Sequence, residues 1–302
     1  MNRTKTVCWA LLVMFLWGSL FPMVKLGFRF YEVKTTGDIL LFAGIRFTIC
    51  GGLICLFALV KDKKSYAPVK SAFLPIALSG LFAIVLHYAF TYLGLSSTAS
   101  SKTAILKQAG LLFYVCFSSL FFKDDKLTVK KGIGVLLGFV GIIAINVSSE
   151  GVSFHKGDLL IIAASFCTVF SNVISKKVFK KVEPITATGC SQLFGGAILL
   201  IVGICMGGSV SFSWDWSLLV MVYICLASII SYCLWYTIIK NSELSGMFII
   251  KFAEPLFSCI LGAIILQENI FKWQYLAAFL LIGGGIVISN LKIKKKKEAN
   301  EK

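Results

Sequence analysis

Charge is scarce in this sequence, and acid is scarcest. Only 15% of the 302 residues are charged, with 14 Asp and Glu against 30 Lys and Arg. Soluble domains are about one quarter charged and about 45–50% apolar. Here apolar residues reach 58% and mean hydropathy is +0.87. Polar sequence is too short anywhere to build a sizeable domain outside the apolar blocks. That excludes a soluble enzyme and a nucleic-acid-binding domain. Histidine is nearly missing, with only His87 and His155. There is no His-Glu-x-x-His pair and no Gly-x-x-x-x-Gly-Lys loop, so neither zinc hydrolysis nor ATP-driven pumping has its residues. A membrane-embedded enzyme would need a nucleophile–base pair or a metal cluster, and none is legible. The ten cysteines sit inside apolar blocks without paired ligand spacing. They read as small apolar filler. No metal and no cofactor is expected.

What is present is a series of long apolar runs. A helix needs about 20 apolar residues to cross the hydrocarbon core. Runs of that kind occur near 7–26, 39–60, 71–95, 98–122, 129–147, 158–175, 185–206, 217–239, 244–266 and 273–291. The expected fold is therefore an all-α integral membrane protein with ten transmembrane helices. With a cytoplasmic N-terminus, 21 Lys and Arg fall in cytoplasmic segments and 4 in external loops (Arg29, Lys34, Lys156 and Lys272). Five fall within the spans or at their ends: Lys25, Arg46, Lys102, Lys107 and Lys251. That split is a strong positive-inside signal and requires an even number of spans. The net charge of +16 is thus a matter of topology. The basic run Lys292–Lys297 reads as an anchor on an anionic leaflet. Residues 7–26 are kept as a helix rather than a signal peptide, because no small-x-small cleavage site follows. A multi-pass protein of the cell membrane with both termini cytoplasmic is expected.

The chain also resembles itself. Shifted by 144 residues, Ala83–Asn146 matches Ala227–Asn290 without a gap, with 14 identities over 64 positions. Polar and aromatic matches carry the case: Tyr88/Tyr232, Tyr92/Tyr236, Ser101/Ser245, Lys107/Lys251 and Asn146/Asn290. At an offset of 151, Lys25 and Phe28 meet Lys176 and Phe179. Each half then holds five helices. Five is odd, so the halves insert in opposite senses. Inverted repeats are an architecture of alternating-access carriers, with the site at the repeat interface near the midplane. The units expected are a cytoplasmic N-terminus 1–6, five helices in 7–147, an external linker 148–157, five helices in 158–291 and a basic cytoplasmic tail 292–302.

The run Trp17-Gly18-Ser19-Leu20-Phe21-Pro22-Met23-Val24-Lys25 resembles the opening helix of the drug/metabolite transporter superfamily, EamA type. So do Arg46-Phe47, Glu254-Pro255-Leu256-Phe257, Gln267-Glu268-Asn269 and Gly283–Gly285. The resemblance covers about 8–147 and 157–291 as two units. It implies a basket-like fold whose cavity is lined mostly by helices 1, 3, 4, 6, 8 and 9, with helices 5 and 10 peripheral. It also implies a structural partner for Arg46, whose counterpart in helix 7 is approximately Gln192. Many relatives export amino acids or other small metabolites; others carry phosphorylated or nucleotide-linked solutes. In the first unit Gly110-Leu111 replaces the Glu-Pro pair, and Asp124-Asp125 replaces the usual Glu.

Charges at bilayer depth face a bundle interior or a water cavity. Lys107, Lys251 and Glu254 are therefore candidate cavity residues. Lys251 and Glu254 are i,i+3 and share a face. They form either a mutually neutralised pair or a site, where Lys251 meets an anionic group and Glu254 takes a proton or an amine. Glu254 is the candidate for proton coupling. Lys25 and Lys102 can instead snorkel to the outer interface. Tyr88, Tyr92, Tyr232 and Tyr236, with His87 and Trp235 beside them, suit a cavity wall that stacks a solute. An interfacial aromatic belt is the competing reading. Ser165, Thr168, Asn172 and Lys176 form one polar stripe, and Trp17, Phe21 and Lys25 another. Both are expected to face the cavity, unless the hydroxyls serve helix packing. Pro22 and Pro255 each remove a backbone donor mid-span and act either as hinges or as fixed kinks. Gly134-x-x-x-Gly138 and Gly283–Gly285 read as close-packing surfaces within the bundle or in a homodimer.

The expected function is a secondary-active exporter of a small polar metabolite such as an amino acid. The alternative is a carrier of a phosphorylated or other anionic metabolite, and the distant one a membrane-embedded enzyme. The partners expected are a small polar or anionic solute, the lipid bilayer and a proton, with no nucleic acid. The charge split predicts that green fluorescent protein fused after Lys302 fluoresces, while alkaline phosphatase at the same place is inactive. The reverse pattern would overturn the orientation.

Overall fold

The computed structural model describes residues 3–114, 128–148, 151–212, 215–241, 250–251 and 253–290. Helices are α1 Arg3–Phe30, α2 Thr36–Lys61, α3 Phe73–Ser97, α4 Ser100–Leu106 and α5 Val129–Ala144. They continue with α6 Lys156–Val178, α7 Pro184–Cys205, α8 Trp216–Asn241, α9 Ala253–Leu266 and α10 Trp273–Asn290. Among the described residues, α1, α2, α3, α6, α7 and α8 contain stretches long and apolar enough to cross a membrane, and α9 and α10 are shorter apolar helices. The protein is an all-helical, multi-pass membrane protein. Among the described residues the exception is a two-residue antiparallel ladder, Val147–Ser148 on Gly151–Val152, at the start of the segment read as a linker. The end of the fourth span and most of the start of the ninth lie outside the described residues. So do Asp124-Asp125, Ser245 and the basic tail.

The outer faces of the helices are apolar. Ile49, Leu53, Leu56 and Phe57 of α2 are exposed, as are Leu219, Val222, Leu226 and Ile230 of α8 and Leu276 and Leu280 of α10. An apolar surface of this extent suits lipid, not water.

In lipid, helices gain nothing by hiding apolar surface from one another. They associate through close packing. The closest packing joins α2 to α7. Gly37, Gly44 and Gly51 recur every seven residues, and so do Gly189, Gly196 and Gly203. A Cβ at Gly44 would strike the backbone of Leu200, and one at Gly51 the backbone of Leu193. One at Gly196 would strike Thr48, and one at Gly203 Leu41. Numbers rise along one helix as they fall along the other, so the pair is antiparallel. The seven-residue spacing keeps every glycine on one seam.

A second seam joins α5 to α10. Gly141 sits against Leu281 and Ile282, and Gly285 against the backbone of Gly134 and Gly138. The glycine motifs of these two helices thus pack the bundle of one chain. The remaining main contacts are α1 on α8 and α9, and α3 on α6.

Two helices are irregular where the site lies. In α3, α-helical turns to Gly80 give way to a π stretch Leu81–Leu86 before helix resumes at His87. Such bulges recur at functional sites. After α4, Lys107 caps the helix, and Gly110 N–H bonds to Lys107 O at 3.1 Å. By contrast, Pro22 lies inside the continuous helix α1.

The α2–α7 seam predicts that Gly44→Leu destabilises the protein by about 1–3 kcal/mol or more, since backbone cannot yield as a side chain does. Gly52→Leu, where a Cβ meets nothing within 4 Å, should leave it unchanged. Thermal unfolding in detergent compares the two. Equal effects would remove the seam's claimed importance.

Candidate functional site

A cavity of about 190 Å³ lies at the centre of the bundle. Its wall comes from α1, α3, α6, α8 and α9, the segment 107–114, and Arg46 of α2. Helices α5, α7 and α10 contribute nothing to it. All twelve residues singled out as cavity candidates are in this wall. From the first half come Trp17, Phe21, His87, Tyr88, Tyr92 and Lys107; from the second, Asn172, Tyr232, Trp235, Tyr236, Lys251 and Glu254. The two prolines are not in it.

The aromatic rows meet. Tyr88 and Tyr232, 144 residues apart, share a hydrogen bond at 2.7 Å between their hydroxyls. Tyr232 stacks on Tyr236 at 6.0 Å, and Trp17 lies edge-on to Trp235 at 5.3 Å and to Tyr232 at 5.8 Å. Tyr92 is 2% exposed, and its hydroxyl has no partner. These tyrosines line the interior and do not form an interfacial belt. His87 is held on α6, where its Nδ1 lies 2.9 Å from Ala164 O and 3.0 Å from Thr168 Oγ1.

Arg46 is buried, bonded through Nη2 to Ser228 Oγ, and its guanidinium carbon lies 4.7 Å from the centre of the Phe47 ring. Its partner is therefore a hydroxyl and ring faces. Gln192, the approximate counterpart, is buried in α7 with both amide atoms unpartnered, and it does not line the central cavity. The glycine seam matches the halves at an offset of 152 here, which makes Ile198 the counterpart of Arg46.

Among the described residues, Lys107, Lys251 and Glu254 of the cavity wall form no ion pair within 4 Å. Among the described residues, ion pairs within 4 Å are Lys34–Glu32 and Lys102–Asp158. Lys251 and Glu254 share the wall but do not touch as a salt bridge. Instead the Lys251 ammonium lies 5.2 Å from the Trp235 ring and 5.6 Å from Trp17. Lys107 lies 5.0 Å from the Phe21 ring.

Three expectations are corrected. Lys25 leaves the Trp17–Phe21 stripe and donates to Thr98 O at 2.5 Å. Ser165 leaves the α6 stripe: its hydroxyl reaches Ile161 O at 3.1 Å and Lys107 O at 3.3 Å, so it joins α6 to the turn after α4. Nothing is said of the Lys176 side chain, which lies outside the described atoms. The lining face of α6 is instead Thr168, Ser171, Asn172, Ser175 and Phe179. Lys102 does not snorkel; it pairs with fully buried Asp158 at 2.9 Å. Sequence reasoning did not single out Asp158, the first residue of the apolar run 158–175.

These last contacts belong to one end of the bundle. There the chain reverses at Gln267 (φ +55) and Glu268 N–H bonds to Gly262 O. A left-handed residue just past the last turn is a common way to end a helix. The reversal aims the Glu268 carboxylate at the start of α4, where it accepts from Ser100 N–H at 2.6 Å and from Ser101 N–H at 3.0 Å. Desolvation raises the Glu268 pKa, but the hydrogen bonds from Ser101 and Ser100 outweigh it and hold the carboxyl below its usual 4.5.

Comparison with known proteins agrees with this architecture. The sequence model of the EamA-like transporter family matches residues 4–147 and 155–290. YvbV of Bacillus subtilis, named an uncharacterized transporter, is 27% identical over 301 residues, covering 98% of this chain and 95% of that protein. An uncharacterized transporter of Archaeoglobus fulgidus is 25% identical over 297 residues, 96% of each. The uncharacterized inner membrane transporter YedA of Escherichia coli is 25% identical over 278 residues, covering 91% and 87%. A crystal structure with 18% identity superposes with a TM-score of 0.68 over 95% of this chain and 97% of that one, which shows the shared fold.

Because the folded Glu268 pKa is depressed, its contribution to stability is complete above the unfolded value and is lost as pH falls through the folded one. Glu268→Gln should therefore lower the melting temperature by roughly 2–4 °C at pH 7 and by less near pH 4. A difference that grows on acidification would contradict the assignment.

Proposed function

The chain belongs to the EamA-like transporter family, and from that premise we propose that it is a secondary-active exporter of a small polar metabolite such as an amino acid. It works in the cell membrane by alternating access, with both termini cytoplasmic. The observation that carries this reading is one cavity to which both halves of the chain contribute repeat-related residues. Tyr88 and Tyr232 meet in it, and Lys107 and Lys251 line it.

Contacts between helices support two inverted units, 7–147 and 158–291. Counterpart helices α2 and α7 pack on each other, as do α5 and α10. The contact of α1 with α8 has its counterpart in that of α6 with α3. An antiparallel seam between counterpart helices is what a two-fold axis in the membrane plane requires. Rocking one unit against the other would expose the cavity to each side in turn. Pro22 and Pro255 are the proposed bending points. Pro22 deprives the Gly18 carbonyl of its helix donor, at the place where α1 packs tightly on Glu254 and Phe257.

Glu254 is the proposed proton carrier. Its carboxylate lines the cavity and has neither an ion pair nor a hydrogen bond among the described residues. Protonation from one side and release to the other would couple solute movement to the proton gradient. A second reading, carriage of a phosphorylated or other anionic solute, is favoured by the three cations Arg46, Lys107 and Lys251 in the same wall.

The test is flux in sealed vesicles holding the purified protein, with radiolabelled amino acids and phosphorylated metabolites, with and without a proton gradient. Gradient-driven flux of one solute class is expected, abolished in Lys107→Ala and in Glu254→Gln. Normal driven flux in both variants would remove these residues from the mechanism.

A further inference from the structure

The charges in the cavity wall are duplicated unequally. Lys107 and Lys251 occupy equivalent places in the two units, 144 residues apart. The equivalent of Glu254 is Gly110, which also lines the cavity. The two-fold relation is therefore kept for the cations and broken for the anion. Each ammonium is steadied by ring faces, Lys107 by Phe21 and Lys251 by Trp235 and Trp17. A ring face attracts the charge without accepting its three N–H donors along a lone pair. Those donors remain for a ligand. Among the described residues the Glu254 carboxylate keeps its acceptor sites, and glycine at 110, where a Cβ would meet Ser165 O at 3.3 Å, supplies no second carboxylate.

Among the described residues, Lys107, Lys251 and Glu254 make no ion pair within 4 Å. Glu254 acts on both lysines only through space, so each of the three can still take a ligand group of opposite charge. A buried charge is tolerated when it is paired and hydrogen-bonded. Resting on the transporter reading above, we infer that the solute is an acidic amino acid or a zwitterion of the same pattern, with two acid groups and one ammonium. Each acid meets one lysine, and the ammonium meets Glu254. A neutral amino acid leaves one lysine unmatched. A dicarboxylate without an amine, or a phosphate monoester, faces Glu254 with like charge. A basic amino acid brings a further cation against two ammoniums. Arg46, bonded to Ser228 and set over rings, adds a positive field of the same sense.

Exchange across vesicles and ligand-dependent melting of the purified protein test this without requiring a proton gradient. The probes are glutamate, aspartate, alanine, lysine, glutarate and glucose 6-phosphate. Glutamate or aspartate should exchange at least about tenfold faster than alanine or glutarate, and should raise the melting temperature where those do not. Glu254→Gln should reverse the order of glutamate and glutarate. Lys107→Gln should reverse that of glutamate and alanine. These reversals are gains for one ligand, so misfolding cannot mimic them. Exchange of alanine or glucose 6-phosphate in preference to the acidic amino acids would overturn the inference and leave the transporter reading standing. Equal loss of glutamate and glutarate binding in Glu254→Gln would also overturn it. No exchange and no thermal shift with any probe would sink both.

Discussion

The fold depends on two helix backbones being able to touch. In lipid there is no water to drive apolar side chains together, so contact distance decides which helices associate. Glycines at seven-residue spacing clear one whole seam of α2 and one of α7. At Gly44 and Gly51 the nearest atoms across the seam are backbone. Away from the seam, α2 presents Ile49, Leu53 and Phe57 outward and Phe42, Arg46, Phe47 and Cys50 inward. Arg46, two residues past Gly44, lies buried beside Tyr88 and Tyr92. The α5–α10 seam closes the other flank in the same way. The cavity is lined chiefly by α1, α3, α6, α8 and α9, and not by the seam helices α5, α7 and α10.

What fills the cavity wall follows from the cost of polarity at depth. An ammonium in this environment needs a partner that does not itself have to be desolvated as an ion. Aromatic faces meet that need, and the rings of Phe21, Trp17 and Trp235 sit beside the two lysines. The tyrosines do the converse. They offer ring area to the wall and hydroxyls to one another or to the open space. At the end of the bundle, by contrast, charges are fully matched: Lys102 with Asp158, and Glu268 with the backbone donors of Ser100 and Ser101. Paired charge marks a closure, and unpaired charge marks the cavity.

Much of this was legible in sequence because membrane helices obey two simple rules. Apolar length marks where a helix lies, and a polar group within it marks an inward face. Lys107, Lys251, Glu254 and the four tyrosines stood out for that reason, and all line one cavity. The errors arose where a stripe was extended by periodicity alone. Ser165 fits the stripe of Thr168 and Asn172 by spacing, yet its hydroxyl is used in helix packing, reaching Ile161 O of its own helix and Lys107 O, which also accepts from Gly110 N–H. Lys25 fits the stripe of Trp17 and Phe21, yet lies near enough to the helix end to reach Thr98 O. The π stretch in α3 has no sequence mark, since Leu81–Leu86 is uniformly apolar.

The sequence by itself determined the class of protein, the placing of most helices, the internal likeness of its halves and the polar residues that must turn inward. Each of these rests on composition and period, which are local. Only the tertiary structure decided which charges pair. Lys251 and Glu254 share a helix face and remain apart, whereas Lys102 and Asp158, 56 residues apart in sequence, meet. It also decided that the glycine heptads of α2 and α7 face each other. Both outcomes depend on distances between segments far apart in the chain, and no pattern within one segment carries a distance to another.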